Sequence, residues 1–234
     1  MSADAAIQLS WVFPLYRTAM QLEELVARAS AVSARLGIAH EILLVDDACP
    51  ERSGEIAERL AASDHRLRVL RLPRNRGQDA ALRAGLACSR GDWVVILDAD
   101  LQDPPEAVET LWPRRTPSLG AVFAHRTGDY STPGRKRTSR LYRAAIERIG
   151  GLPRGACLYV LLSRGLVDRI NAARGSRTTL LALIAASRLR CTSVDIVRSP
   201  RLVGESAYSS FARSAKAARS LWEMFAARRL NLPL

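Results

Sequence analysis

Apolar residues follow two rhythms along this chain. Short, nearly unbroken apolar runs recur at residues 12–15, 41–46 (EILLVD), 67–72, 93–97 and 119–124, each bounded by polar or turn-forming residues, as buried strands require. Between them, apolar positions take helical spacing. Over residues 20–36 they are Leu22, Leu25, Val26, Ala29, Val32 and Leu36, with Gly37 as a stop. Further helices are predicted at residues 54–62, at 79–89 closed by Gly91, and at 105–112, where Pro104 and Pro105 suit a first turn. Strand alternating with helix predicts an α/β domain with a mostly parallel central sheet flanked by helices. From Arg126 onward the chain turns basic, punctuated by Gly and Pro, and leads into a helix over residues 138–149. No internal period or low-complexity linker divides the 234 residues, so one domain over 1–205 is expected. Residues 206–234 are expected to form a basic amphipathic helix. Its apolar stripe is Tyr208, Phe211, Ala215, Ala218, Trp222 and Phe225, flanked by Arg213, Lys216, Arg219, Arg228 and Arg229. Such a stripe packs on its own domain or lies at a membrane surface.

The run at 93–106, WVVILDADLQDPPE, carries the most specific chemistry. Read as a strand, it delivers Asp98 and Asp100 at its end with both carboxylates on one side, and Gln102 continues the alternation with a neutral oxygen. Oxygen donors so placed suit a hard divalent cation that keeps positions open for substrate phosphates. Capping of the next helix, or solvation of a turn, is the simpler use of an Asp at that place.

Composition narrows the picture in three ways. With 48% hydrophobic and 25% charged residues the chain is of ordinary globular type. The longest later apolar run, residues 180–186, falls well short of the roughly 20 residues of a membrane span, and the opening residues lack a secretory pattern, so a cytoplasmic protein is expected. Cys49, Cys88, Cys157 and Cys191 are scattered without a CxxC pair, which argues against a zinc or disulfide framework. The net charge of +12 calls for an anionic partner. Nucleic acid is not expected, because no zinc-finger or RRM-type signature accompanies the charge.

Five segments in order, FPLY at 13–16, LLVDDACP at 43–50, LPRNRGQDAALRAGL at 72–86, DADLQDPPE at 98–106 and RSPRLVGESAY at 198–208, resemble the family 2 glycosyltransferases of GT-A fold. Within that family the resemblance is to the dolichol-phosphate and polyprenyl-phosphate sugar synthases. It implies a nucleotide-sugar donor, UDP or GDP, bound around Pro14, Tyr16, Asp47, Asn75, Gly77 and Gln78. It also implies Mg2+ or Mn2+ held by Asp98, Asp100 and Gln102 against the donor diphosphate. Arg126, Arg135, Ser139 and Arg201 would gather around the acceptor phosphate and the leaving group, with Asp98, Asp100, Arg126 and Arg201 as the catalytic set. On local grounds alone, Asp47 also fits a helix cap, Asn75 and Gly77 a turn, and Arg135 a solvated basic run beside Arg137 and Arg140.

The chain departs from the family pattern at several places. Arg17 and Thr18 replace an acidic or amide pair, DDAC stands for DDGS, Val160 stands where arginine is common, and the final SKY reads Ser206, Ala207, Tyr208. The paired membrane helices that many relatives carry would lie beyond Leu234, which leaves either a soluble protein or a catalytic fragment. Between Asp129 and Asp168 the only acid is Glu147. A phosphate monoester acceptor already carries an anionic oxygen near neutrality, with a second pKa of about 6, and needs no general base. The expected reaction is therefore inverting transfer of a sugar to a polyprenyl or dolichyl phosphate, with peripheral association at the inner membrane face. Transfer to a soluble hydroxyl acceptor is the alternative. A sugar-nucleotide nucleotidyltransferase would open with a glycine-rich phosphate loop, which FPLYRTAM lacks.

Overall fold

A computed structural model describes residues 6–127, 144, 147–173, 178–197, 221–223 and 225. Its centre is a seven-stranded sheet in the order β3-β2-β1-β4-β6-β5-β7. The strands are β1 (Leu9–Leu15), β2 (His40–Asp46), β3 (Leu67–Arg71), β4 (Trp93–Ile96), β5 (Leu119–Thr127), β6 (Val160–Ser163) and β7 (Arg190–Val197). Only β6 runs against its neighbours, pairing antiparallel with both β4 and β5, while the other pairings are parallel. The expected mostly parallel α/β sheet is thus present.

The helices are α1 (Leu22–Arg35), α2 (Ser53–Ser63), α3 (Gln78–Cys88), α4 (Val108–Leu111), α5 (Arg164–Ala172) and α6 (Leu180–Ala186). The segment expected to be one helix over 105–112 is instead a short α-helix between two 3-10 turns, Pro105–Ala107 and Trp112–Arg114. A proline stands in the first two residues of each of those turns, Pro105 and Pro113, where its missing N–H leaves no intrahelical bond unmade.

The inner strands β1, β2, β4, β5 and β6 are apolar on both faces, which is why those of them that are long enough read as continuous runs rather than alternating ones. In β1, Leu9, Trp11, Phe13 and Leu15 enter one core layer with α1 and α4, while Val12 points to the other layer with α3, α5 and α6. β2 divides in the same way, Ile42 and Leu44 against Leu43 and Val45. The amino-terminal end of the sheet is tied by a buried carboxylate. Glu41 accepts hydrogen bonds from Ser10 Oγ (2.7 Å) and the Arg90 backbone N–H (2.6 Å) and ion-pairs with Arg68 and Arg90. Burial works to raise its pKa, but these donors prevail and hold it below the usual carboxylate range. With that end closed, the carboxyl ends of the strands remain for a site, as in other open parallel sheets.

Candidate active site

At the carboxyl end of β1, Pro14 is half-buried and Tyr16 is exposed. The Arg17 guanidinium lies 5.6 Å from the Tyr16 ring centroid, and Arg17 takes a positive φ of 57°. Its backbone N–H donates to Cys49 Sγ at 3.1 Å, and Cys49 Sγ lies 3.1 Å from Ser53 Oγ. The thiol in DDAC therefore joins the loop after β1 to the loop after β2.

Asp47 follows β2 directly and is only 3% exposed. Its two oxygens accept the backbone N–H groups of Arg76 (2.7 Å) and Gly77 (2.8 Å). Helix capping is not its task, since Arg52 occupies the N-cap of α2. Gly77 is the N-cap of α3 at φ 85°, ψ 161°, a backbone conformation that side-chain-bearing residues avoid. Asn75 is exposed on this turn, and Gln78 opens α3 with its Nε2 donating to Asp98 Oδ1 at 2.5 Å. Four of the residues expected around a donor are thus on two adjoining loops, and one of them touches the first aspartate of DADLQ.

The DADLQ segment itself differs from the expectation. β4 ends at Ile96, so Asp98 and Asp100 are not set side by side by strand alternation; they lie on a turn in which Leu101 has φ 56°. Strand pairing stops there because both neighbours, β1 and β6, pair with β4 only from Trp93 to Ile96. Asp100 accepts from the Gln102 backbone N–H (3.1 Å) and from Gln102 Nε2 (2.7 Å), so its carboxylate bonds within its own turn. Among the described residues no cluster of three or more His, Cys, Asp or Glu side chains is assembled for a metal. Two carboxylates and the Gln102 amide oxygen, brought round by rotating the amide, remain a hard-oxygen set of the kind that leaves positions for substrate phosphates.

Sequence reasoning missed the residues beneath this turn. Asp103 is fully buried and ion-pairs with Arg126 of β5, whose Nη2 lies 4.0 Å from Asp98 Oδ2. Tyr159, also fully buried, donates its hydroxyl to the Pro104 carbonyl at 2.8 Å, and Cys157 Sγ donates to the Ala124 carbonyl at 3.3 Å. Burial pushes the Cys157 thiol up against the pull of Arg126, so it stays neutral and the charges facing Arg126 are Asp103 and Asp98. For Arg126 burial opposes the charge, while the Asp103 and Asp98 carboxylates favour it. One turn on, Arg28 of α1 clasps Glu106 through Nε (2.9 Å) and Nη2 (2.7 Å), which holds the segment against α1. The sequence signal for Asp103 was its place in DADLQDPPE; nothing local told its partner.

Of the remaining expected site residues, Arg135, Ser139 and Arg201 lie outside the described residues, as does most of the 138–149 helix, of which 144 and 147–149 are described and helical. Glu147 accepts from the Gly155 backbone N–H at 3.2 Å. In the carboxy-terminal segment Leu221 packs on the α3, α5 and α6 layer and Glu223 accepts from the Thr179 backbone N–H at 2.7 Å. Trp222 and Phe225 touch at 6.2 Å and are 69% and 39% exposed. Two members of the predicted apolar stripe therefore face away from the core.

The sequence profile described as Glycosyl transferase family 2 matches residues 10–164, from β1 to the first residue of α5. The chain belongs to glycosyl transferase family 2. Among family 2 relatives, the undecaprenyl-phosphate 4-deoxy-4-formamido-L-arabinose transferase of Pseudomonas aeruginosa is 36% identical over 206 residues, covering 86% of this chain and 60% of the relative. The enzyme of the same name from Salmonella paratyphi A is 32% identical over 206 residues, covering 86% and 63%. The chain thus spans about three-fifths of the length of these relatives. Glucosyl-3-phosphoglycerate synthase from Mycobacterium tuberculosis, solved with Mn2+, UDP and phosphoglyceric acid, superposes with a TM-score of 0.67 at 17% identity, over 94% of this chain and 78% of that one. A mannosyltransferase from Pyrobaculum calidifontis, solved with GDP-Man and Mn2+, gives 0.59 at 18% identity, over 97% and 72%. These likenesses carry the GT-A fold.

Proposed function

We propose that this family 2 glycosyltransferase moves a sugar from a UDP- or GDP-sugar to a polyprenyl phosphate with inversion at the anomeric carbon. The observation that carries the reading is the meeting of Gln78, Asp98 and Arg126 at the carboxyl ends of the strands, in a chain 36% identical to an undecaprenyl-phosphate sugar transferase. Pro14, Tyr16, Asp47, Asn75, Gly77 and Gln78 bind the nucleotide, with the Asp47 clamp fixing the turn that presents Asn75 and Gln78. Asp98, Asp100 and Gln102 hold Mg2+ or Mn2+, which supplies positive charge to the diphosphate leaving group.

Arg126 adds a second positive charge on the same side, half-buried where a guanidinium is worth more than in water. Arg135, Ser139 and Arg201 complete the acceptor phosphate site. An oxygen of the acceptor phosphate attacks the anomeric carbon in line. The new carbon–oxygen bond forms as the bond to the nucleoside diphosphate breaks, and the electron pair leaves with the diphosphate. No proton has to be removed, in keeping with Glu147, the one acid between Asp129 and Asp168, being engaged by the Gly155 backbone.

No helix among the described residues is long and apolar enough to cross a membrane. The exposed Trp222 and Phe225, flanked in sequence by Arg219, Arg228 and Arg229, support a carboxy-terminal helix that rests on an anionic membrane surface and brings the site to its lipid substrate.

A panel of UDP-, GDP- and dTDP-sugars, scored for nucleoside diphosphate release in the presence of a short-chain polyprenyl phosphate with Mn2+ or with EDTA, tests the reading. Release with one UDP- or GDP-sugar, lost in EDTA and absent without the lipid phosphate, is expected. Full release in excess EDTA removes the metal from the account.

A further inference from the structure

Arg126 has two carboxylates within its reach and uses them unequally. It pairs directly with Asp103, which is fully buried, while its Nη2 stands 4.0 Å from Asp98 Oδ2. Asp98 meanwhile accepts from Gln78 Nε2 at 2.5 Å through its other oxygen. The surroundings of Asp103 are fixed on its carboxy-terminal side. Tyr159 bonds the Pro104 carbonyl at 2.8 Å, and Arg28 holds Glu106 by two hydrogen bonds. Asp103 is therefore not free to follow Arg126 wherever it goes; Arg126 must come to Asp103.

A lone guanidinium this close to Asp98 would compete with a divalent cation in two ways. It would close the remaining gap and take the carboxylate for itself, and its charge would repel the cation through a partly buried, poorly screened medium. We infer that Asp103 is a positioning residue which anchors and neutralises Arg126, so that Asp98 stays available to the metal while Arg126 stays beside the leaving group. The role rests on the metal reading of DADLQ above but is separate from it. Asp103 is not a metal ligand here; it decides where a neighbouring cation sits.

Direct binding of Mn2+ to the whole protein tests this without turnover. Free Mn2+ is followed by electron paramagnetic resonance in titrations of wild type, Asp103→Asn, Arg126→Gln and the double variant, without nucleotide and again with saturating UDP or GDP. Circular dichroism monitors folding. Asp103→Asn is expected to weaken Mn2+ binding about ten-fold, the effect of roughly 1.4 kcal/mol. Arg126→Gln should tighten it by about three-fold or more, and the double variant should return to the affinity of Arg126→Gln, because without the guanidinium the anchor has nothing to hold. A purely structural Asp103 would lower the melting temperature and leave Mn2+ affinity alone. A folded Asp103→Asn with wild-type affinity overturns the inference. Should that variant not fold, unchanged or weaker binding by Arg126→Gln overturns it equally. Wild type that binds no Mn2+ with or without nucleotide overturns the metal reading itself, and this inference with it.

Discussion

Replacing Asp47 with alanine removes the acceptor of two backbone N–H groups at once. The carboxylate bonds Arg76 N at 2.7 Å and Gly77 N at 2.8 Å and is 3% exposed. Hydrogen bonds to a charged acceptor contribute about 1.5–3 kcal/mol each, so the pair brackets roughly 3–6 kcal/mol. Arg76 is exposed and Gly77 half-buried, so water replaces part of what is lost; a cost of about 2–4 kcal/mol is expected for Asp47→Ala. For a protein of this size that corresponds to a fall of roughly 5–15 °C in melting temperature. Asp47→Asn keeps one carbonyl oxygen and should lose about half as much. Thermal unfolding followed by circular dichroism gives the magnitude. Hydrogen exchange gives the place, since the Arg76 and Gly77 amides should lose protection selectively in the alanine variant. An Asp47→Ala protein that melts within about 1 °C of wild type, with both amides still protected, would refute the clamp.

Three further outcomes are expected. Asp100→Asn should keep the fold and abolish transfer, because an amide weakens cation binding where charge must be neutralised, and full turnover by that variant would remove Asp100 from the site. The protein should float with vesicles containing anionic lipid, less so as salt rises, and Trp222→Ala with Phe225→Ala should reduce the association several-fold; equal flotation of the double variant would leave those rings without a membrane role. Asp64 is held down at about 2, first by the Arg66 side chain, against a usual 3.8. A depressed carboxylate contributes stability above its unfolded pKa that is lost as pH falls through the folded one. The small deficit of Asp64→Asn, under about 1 kcal/mol for so exposed a pair, should therefore be present at pH 6 and vanish between about pH 4 and pH 2 in thermal melts.

What was legible in the sequence followed from contrast within short windows. The runs that became β1, β2, β4 and β5 were readable because buried strands are apolar on both faces and end at polar turns, and the edge strand β3 because Leu67, Val69 and Leu70 still give apolar contrast. β7 escaped because it is an edge strand with only Ile196 buried, so Arg190–Val197 shows little apolar contrast. β6 is four residues long and leads directly into α5, a boundary that composition does not mark. The turn after β4 reads as strand because alternation alone cannot tell where pairing ends; β1 and β6, each more than 60 residues away, decide it. Candidate residues were nameable where a motif carried them, as with Gln78 and Asp98. The Asp103 and Arg126 pair was not, because it joins a turn to a strand 23 residues on through a contact that only the folded sheet creates. The use of Asp47 as a clamp was hidden for the same reason, its partners lying 29 and 30 residues away.

Transfer of radiolabelled sugar into a short-chain polyprenyl phosphate, by wild type, Arg201→Ala and Glu147→Gln, tests the central claim most directly. Wild type should give labelled lipid from a UDP- or GDP-sugar. Arg201→Ala should depress its formation strongly, because a guanidinium holding a phosphate by two hydrogen bonds both positions the nucleophile and offsets its charge. Glu147→Gln should change it little, since no base is needed. Labelled neutral sugar alcohol without labelled lipid, and a rate that falls with Glu147→Gln, would contradict the lipid-phosphate account and establish transfer to a hydroxyl acceptor instead.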